Sequence, residues 1–215
     1  MIIYATKETL KRYGLKVVGE YNSDMAPLVE IVVKNDRGTR LFEWGCKLFY
    51  FCGRKCMQLM HFETKLVIFL ADLKVSELKY IGDALAVCLM DLYAGDPEMQ
   101  KALEKYFHAS PILCFDRITD KSIIASMNGI QSRWAWDGDR FYGYISDGIL
   151  HTKKINRDVN EMPVTKKVEG REEWIVPYEL FEETIKKIAR DIDSSETSKS
   201  ASEKLASSIS LGGRS

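Results

Sequence analysis

The segment LFYFCGRKCMQLMHFETKLVIFL occupies residues 48–70 and contains three apolar runs with the length and composition of β-strands. Two short linkers separate these runs at the spacing of β-hairpins. The runs cover residues 48–51, 57–60 and 66–70, and the linkers cover residues 52–54 and 62–64. The segment therefore predicts an antiparallel meander of three strands.

Amphipathic helices are predicted on the C-terminal side of this meander. Ser76 is a preferred N-cap residue ahead of apolar residues at helical spacing, and Asp96-Pro97 is a typical helix start. A third helical pattern follows the apolar run at residues 111–115, which reads as a buried strand. The three predicted helices cover residues 76–93, 97–107 and 120–135.

The two ends of the chain add smaller predicted elements. Residues 1–5 have the pattern of a strand, and Thr6 is placed to cap a short helix. The stretch at residues 15–40 is ambiguous, and Pro27 favours the first turn of a helix there. The C-terminal elements are a hairpin over residues 163–177 and an amphipathic helix over residues 178–192.

Together these elements predict an α+β fold, a mostly antiparallel sheet packed by several helices, with a C-terminal hairpin plus helix. We expect one α+β domain over residues 1–192, in which residues 163–192 either complete the domain or form a hairpin-helix appendage. Serine dominates residues 193–215, and no aromatic residue occurs there. This last stretch is predicted to be a disordered tail.

The composition restricts the classes of function. Lys+Arg is 31 and Asp+Glu is 31, so the formal net charge is +0 at pH 7. This balance argues against nucleic-acid binding by bulk electrostatics, although a local basic patch is compatible with it. No apolar run approaches the roughly 20 residues of a transmembrane helix, so no membrane association is expected. Five cysteines, an odd number, are typical of a reducing compartment, and we predict a cytoplasmic location.

The helix start TDKSIIASMN, residues 119–128, is a candidate anion site. With Asp120 as the N-cap, Lys121 and Ser122 fall in the first turn, where free backbone N–H groups and the helix dipole favour an anion. Ser126 and Asn128 follow on the same helix. The alternative interpretation is an ordinary capped amphipathic helix with small residues for close packing.

Two further groups of cations are candidates for anion contact. Arg54 and Lys55, at the tip of the first hairpin, form a pair that can clamp a phosphate or carboxylate. Their alternative role is a solvated turn that protects the sheet from edge pairing. The basic stretch at residues 151–157, with Lys166 and Lys167 nearby, is either a polyanion contact or a solvated loop.

The sequence indicates no metal site and no cofactor. Cys46, Cys52, Cys56 and His61 are thiolate and imidazole donors, but their spacing differs from the closely spaced ligand pairs of zinc fingers. The chain contains no phosphate-binding glycine loop and no metalloprotease or nucleophile-elbow motif.

Aromatic residues are dense between Trp134 and Tyr144, with Arg133 and Arg140 interleaved among them. Such a segment can stack nucleic-acid bases. The interpretation that we favour is a part of the core or a dimer interface.

Three segments taken together resemble an uncharacterised bacterial family known only as a domain of unknown function. They are WGCKL at residues 44–48, GRKC at residues 53–56, and TDKS at residues 119–122 followed by SMN at residues 126–128. The resemblance covers most of residues 1–160 and extends loosely towards residue 190. It implies a bacterial protein and brings no established activity, substrate or cofactor. The family often carries Asp-Arg-Arg-Lys-Cys at the hairpin, whereas this chain has Cys52-Gly53 ahead of Arg54.

We predict a binding module for an anionic group, either in nucleic acid or in a nucleotide. The hypothesis requires the hairpin tip and the helix start to line one cleft. The candidate binding residues are Trp44, Arg54, Lys55, Asp120, Lys121, Ser122, Ser126 and Asn128, and catalytic residues are left unassigned.

Two alternative functions stay open at this point. An enzyme of phosphodiester or nucleotide chemistry would use Asp116 and Asp120 as acids and His61 or His151 as a base. A protein–protein interaction or dimerisation domain would use the aromatic segment at residues 134–144 to form a homodimer or to dock a partner.

Overall fold

The computed structural model describes residues 1–136, 140–168 and 170–211. Its main sheet has five strands in the order β4–β3–β2–β1–β5. The strands are β1 (Ile2–Ala5), β2 (Glu43–Phe51), β3 (Arg54–His61), β4 (Val67–Ala71) and β5 (Cys114–Arg117). The predicted antiparallel meander is confirmed as β2, β3 and β4. The sheet is mixed because β1 pairs in parallel with both β2 and β5.

Seven α-helices in the described residues pack around this sheet. They are α1 (Lys7–Tyr13), α2 (Ala26–Asp36), α3 (Ile81–Leu92), α4 (Pro97–Ala109), α5 (Lys121–Gln131), α6 (Thr152–Glu161) and α7 (Pro177–Leu211). Two small hairpins join β6 (Ile145–Ser146) to β7 (Ile149–Leu150) and β8 (Val164–Val168) to β9 (Arg171–Ile175). The α+β class and the C-terminal hairpin followed by a helix are confirmed. None of the helices in the described ranges is both long and apolar enough to cross a membrane.

Local signals explain where several of these helices begin. The Thr6 side chain accepts a hydrogen bond from the Thr9 amide at the start of α1, and Asp96 accepts one from the Met99 amide at the start of α4. Pro27 lies in the first turn of α2, as predicted.

Two predicted boundaries were wrong. The helix predicted from Ser76 begins only at Ile81, because Val75–Tyr80 form a 3₁₀ segment. The strand predicted at residues 111–115 begins only at Cys114, the first residue of β5 that pairs with β1. Pro111 has no N–H to donate to such a ladder, which explains why the strand starts later.

The helix α5 also ends earlier than predicted, and Ser132–Trp136 continue it as a π-helical segment. The break predicted at residues 137–139 lies outside the described residues. At the C-terminus the backbone of α7 is helical to Leu211. The domain boundary at residue 192 and the disorder of residues 193–215 stay predictions.

Alternation along the strands places one apolar core on each face of the sheet. Met57 faces a core formed with α3, α4 and α7, in which Phe181 is buried. Met60 and Phe69 face the opposite core, which is closed by α5, α6 and Phe141. The two faces are therefore separate environments, and a site near Met60 belongs to the α5 face.

A glycine in β2 allows α5 to approach the sheet closely. A β-carbon on Gly45 would lie 2.7 Å from Ile123 Cγ2 and 3.1 Å from Met127 Sδ. Both distances are tighter than ordinary van der Waals contact, so the position of α5 depends on the absence of a side chain at residue 45.

The edge strand β4 is covered by two asparagines of α6. Asn156 accepts a hydrogen bond from the Phe69 amide at 2.7 Å and donates one to the Phe69 carbonyl at 3.1 Å. Asn160 likewise accepts a hydrogen bond from the Val67 amide at 2.7 Å and donates one to the Val67 carbonyl at 2.6 Å. The side chains thus act as a further strand, which satisfies the edge and blocks its pairing with another chain.

Candidate functional site

Trp44, predicted as an apolar wall of the binding site, lies in the core. Its side chain is 0% exposed, and its Nε1 donates a hydrogen bond to Tyr106 Oη at 3.1 Å. Its ring contacts those of His61 and Phe181. Trp44 therefore stabilises the core and does not face a surface site.

The hairpin tip holds Arg54 and Lys55 on opposite sides of β3, since successive residues of a strand alternate between its faces. Arg54 pairs with Asp72 at 2.6 Å and donates a hydrogen bond to the Gly148 carbonyl. These contacts anchor the tip to the neighbouring segments. The two cations are therefore not arranged as a clamp for one ligand.

The hairpin tip and the start of α5 lie at opposite ends of β2. Arg54 pairs with Phe51, whereas Ile123 in the first turn of α5 contacts Gly45. Six residue steps of roughly 3.3 Å separate residues 45 and 51, which corresponds to about 20 Å. Arg54 and Lys121 therefore do not line the common cleft that the binding hypothesis requires.

The start of α5 is occupied by its own cap. Asp120 Oδ1 accepts hydrogen bonds from the amides of Ser122 at 2.8 Å and Ile123 at 3.0 Å, and Oδ2 accepts one from Arg40 at 3.3 Å. Partial burial opposes ionisation, but the bonds from Ile123 and Arg40 prevail and lower the pKa of Asp120. Since the carboxylate uses the first-turn amides, these amides are not available to a second anion.

Ser126 and Asn128 project in different directions from α5. Ser126 lines a cavity on the α5 face, and its Oγ donates a hydrogen bond to the Ser122 carbonyl. Asn128 Oδ1 accepts a hydrogen bond from Lys47 Nζ at 2.5 Å. Residues two apart on a helix do not share a face, so only Ser126 of this pair contributes to the cavity.

This cavity, which we name the Lys65 cavity, has a volume of about 480 Å³ and lies between α5, the end of β3 and the β8–β9 hairpin. Its apolar wall consists of Met60, Ile130, Pro163, Val164 and Trp174. Its polar wall consists of Lys65, Ser126, Ser132, Arg133 and Thr165. The size and the mixture of an apolar wall with a few polar groups are typical of small-molecule sites.

Lys65 is a buried cation in the wall of this cavity. The residue is 5% exposed, and its Nζ has no hydrogen-bond partner among the described residues. Burial, followed by the charge of Arg40, lowers the pKa of Lys65 to about 8. The backbone of Lys65 has φ 61, a left-handed conformation that a lysine rarely adopts. Strained, desolvated residues of this kind are concentrated at functional sites.

The charges around Lys65 leave an excess of cations. Glu63 is engaged by Lys166 at 2.6 Å and by Arg40 at 3.5 Å. Asp120 is engaged by Arg40 at 3.3 Å. The two carboxylates of Glu63 and Asp120 therefore lie among three cations. Each carboxylate is already bound to a cation other than Lys65. An anion beside Lys65 would relieve this local imbalance.

A neighbouring groove of about 520 Å³ lies between the loop after α2 and the start of α5. Two ion pairs join four of its charged side chains. Arg37 binds Asp116 at 2.5 Å, and Arg40 binds Asp120 and lies over the Phe62 ring at 5.4 Å from the centroid. These pairs hold the loop in place, and they make this groove a weaker candidate for anion binding than the Lys65 cavity.

Asp116 and Asp120, proposed as acids, line one groove, but the histidines proposed as bases do not join them. His61 is fully buried, both of its ring nitrogens are hydrogen-bonded at 2.9 Å, and burial lowers its pKa to about 4. His151 contacts Ser146 at 2.5 Å. In the described structure neither histidine contacts Asp116 or Asp120, which removes the geometric basis of the enzyme hypothesis. The residues searched also include no group of three or more His, Cys, Asp or Glu able to hold a metal ion.

Two side chains of the aromatic segment, Trp134 and Phe141, belong to the core. Phe141 is 0% exposed and contacts the rings of Phe51 and Phe69, and Trp134 is also buried. Tyr142 is 54% exposed. The core interpretation therefore accounts for Trp134 and Phe141, and pairing through the aromatic segment stays a prediction.

Neither Lys65 nor Trp174 is among the residues predicted from the sequence. Lys65 directly follows a predicted hairpin linker, where a lysine is normally solvated. The cavity beside it is also lined by β8–β9, whose Lys166 binds Glu63 across more than a hundred residues of chain. Trp174 is 75% exposed and lines the same cavity. No local pattern reveals either feature, because both arise from a long-range contact.

Comparison with protein-family models gives a match over residues 2–180 to a family described as a domain of unknown function (DUF6933). This match confirms the resemblance noted in the sequence. Comparisons with curated proteins and with solved structures give no match.

Proposed function

The chain belongs to the DUF6933 family, and we propose that it is a binding module for a small anionic ligand, a nucleotide, held in the Lys65 cavity. The observation that carries this proposal is the buried ammonium group of Lys65, which lacks a hydrogen-bond partner among the described residues. A buried charge without a partner is strongly unfavourable, so a ligand that supplies an anion gains the energy of relieving it.

The remaining walls of the cavity suit the two parts of a nucleotide. Lys65, Ser126 and Arg133 supply donors for a phosphate group. Trp174 offers an exposed indole on which a base can stack. The volume of about 480 Å³ suits one nucleotide rather than a polymer, so nucleic acid is the less favoured ligand.

We also propose a cytosolic location for the protein. All five cysteines are free, and Cys46, Cys56 and Cys114 are buried. Buried free thiols are compatible with a reducing compartment, where nucleotides are also abundant.

Isothermal titration calorimetry with AMP and with inorganic phosphate, in a phosphate-free buffer of low ionic strength, tests this function. We expect AMP to bind with one site per chain. The Lys65→Met variant should bind AMP about 10- to 100-fold more weakly, since a hydrogen bond to a charged group contributes about 1.5–3 kcal/mol. Trp174→Ala should weaken AMP but leave the binding of inorganic phosphate unchanged.

The matched control is Lys121→Met, which removes an exposed lysine from the start of α5. We expect this variant to bind AMP as the unmodified chain does. Loss of binding in Lys121→Met but not in Lys65→Met would instead favour the helix start as the site. No heat of binding with either ligand would reject the proposed function.

A further inference from the structure

We infer that Lys65 forms an imine with an aldehyde or ketone that also carries an anionic group. This inference rests on the proposed function, since it uses the same cavity, and it names a reaction there that anion binding alone does not require.

The amine of Lys65 is buried in the wall of the cavity. Its Nζ donates no hydrogen bond to a carboxylate or to any other partner among the described residues. Lys166, by contrast, is paired with Glu63 at 2.6 Å. A lysine that is desolvated and lies near another cation loses its proton more readily and becomes a nucleophile. The four-carbon stem of Lys65 lets the amine turn into the cavity that it borders.

The surroundings of Lys65 suit the other parts of such a ligand. Arg133 lines the same cavity and can bind a carboxylate or phosphate, and its guanidinium forms a long hydrogen bond, 3.4 Å, to the Gly129 carbonyl. Met60, Ile130 and Val164 exclude water from one wall. Since imine formation releases water, a partly apolar cavity favours the condensed product.

The reaction balances without an oxidant or a reductant. The lone pair of the neutral Lys65 amine forms a bond to the carbonyl carbon, and a proton passes from nitrogen to the former carbonyl oxygen. The resulting carbinolamine loses its hydroxyl group together with a proton as one water molecule. A carbon–nitrogen double bond remains, and hydrolysis reverses the sequence.

Reductive trapping with glyoxylate, a small anionic aldehyde, tests the inference on the full chain. Sodium cyanoborohydride reduces the imine to a stable carboxymethyl-lysine, and peptide mass spectrometry locates the modified residue. We expect Lys65 to be modified at least about tenfold faster than Lys166 or the exposed Lys121, because burial lowers the pKa of Lys65 and so raises its fraction of neutral amine. Labelling spread evenly over these three lysines, or greatest at Lys121, would overturn the inference.

The Lys65→Arg variant separates this inference from the proposed function. Arginine keeps the positive charge but forms no imine under these conditions, so AMP should still bind while trapping at residue 65 is lost. If AMP binds the unmodified chain and glyoxylate does not label Lys65, only the imine inference fails. If neither AMP binds nor glyoxylate labels Lys65, both proposals fail.

Discussion

Replacing Lys65 by methionine should make the protein more stable at neutral pH, although it removes a candidate ligand contact. Burial lowers the pKa of Lys65 to about 8 from an ordinary value of 10.5. A difference of this size, at 1.36 kcal/mol for each unit, corresponds to a cost of up to about 3 kcal/mol for keeping the folded protein charged at residue 65. Methionine keeps the length of the side chain and carries no charge.

The sign of the pH dependence follows from the lowered pKa. Below pH 8 the residue is protonated in both the folded and the unfolded protein, and the cost is present in full. As the pH rises from 8 towards 10.5, the folded protein releases the proton while the unfolded chain keeps it, so the unmodified protein gains stability. The advantage of Lys65→Met should therefore be about 1–3 kcal/mol at pH 7 and should vanish towards pH 10.5.

Urea denaturation followed by circular dichroism at pH 7 and at several values up to 10.5 measures this difference. Other groups that titrate in this range are common to both proteins and cancel in the comparison. A variant that is less stable than the unmodified protein at pH 7, or whose advantage is constant from pH 7 to 10.5, would refute the reasoning about Lys65.

Three further predictions concern the fold that supports the site. Burial lowers the pKa of His61 to about 4 from 6.5, so stability should fall by up to about 3 kcal/mol as the pH drops through this window, and His61→Gln should flatten that slope in urea titrations. Asn156→Leu removes both hydrogen bonds to Phe69 and should cost about 2–4 kcal/mol, measured by thermal unfolding. Gly45→Ala places a carbon 2.7 Å from Ile123 Cγ2 and should cost about 1–3 kcal/mol by the same assay.

Each of these predictions has a matched control. His108→Gln changes a histidine on the surface of α4 and is the control for His61→Gln. Arg157→Ala alters the exposed neighbour of Asn156 and should cost less than about 1 kcal/mol. Gly95→Ala adds a β-carbon where no atom lies within 4 Å and should be nearly neutral. Equal losses in a variant and its control would contradict the contact assigned to that variant.

The elements predicted correctly depend on signals confined to a few neighbouring residues. The first hairpin, whose turn lies at residues 52–53, the cap at Thr6 and the cap at Asp120 each involve one turn or one pair of strands. The parallel pairing of β1 with β2 and β5 joins segments about 40 and 110 residues apart, and no local pattern specifies it. The mixed sheet therefore emerged only from the structure.

In the candidate site, too, the local features are predicted correctly and the long-range contacts are not. Asp120 was correctly identified as a cap, but a good cap occupies the amides that were expected to bind an anion. Arg54 and Lys121 were joined by the family resemblance, whereas the length of β2 separates them. Lys65 is buried beside a cavity that is also lined by β8–β9, a hairpin about a hundred residues away in sequence. Burial of this kind cannot be inferred from the identity of a lysine alone.

The most direct test of the central claim is the titration of the Lys65 side chain itself. In protein labelled with ¹³C-lysine, the Cε resonance of Lys65, assigned by its absence in Lys65→Met, reports the protonation of the amine. We predict a midpoint near pH 8 in the free protein, which moves upward when AMP saturates the cavity because the phosphate stabilises the ammonium form. A resonance that titrates at the ordinary lysine pKa and does not respond to AMP would contradict both the buried cation and its role in binding.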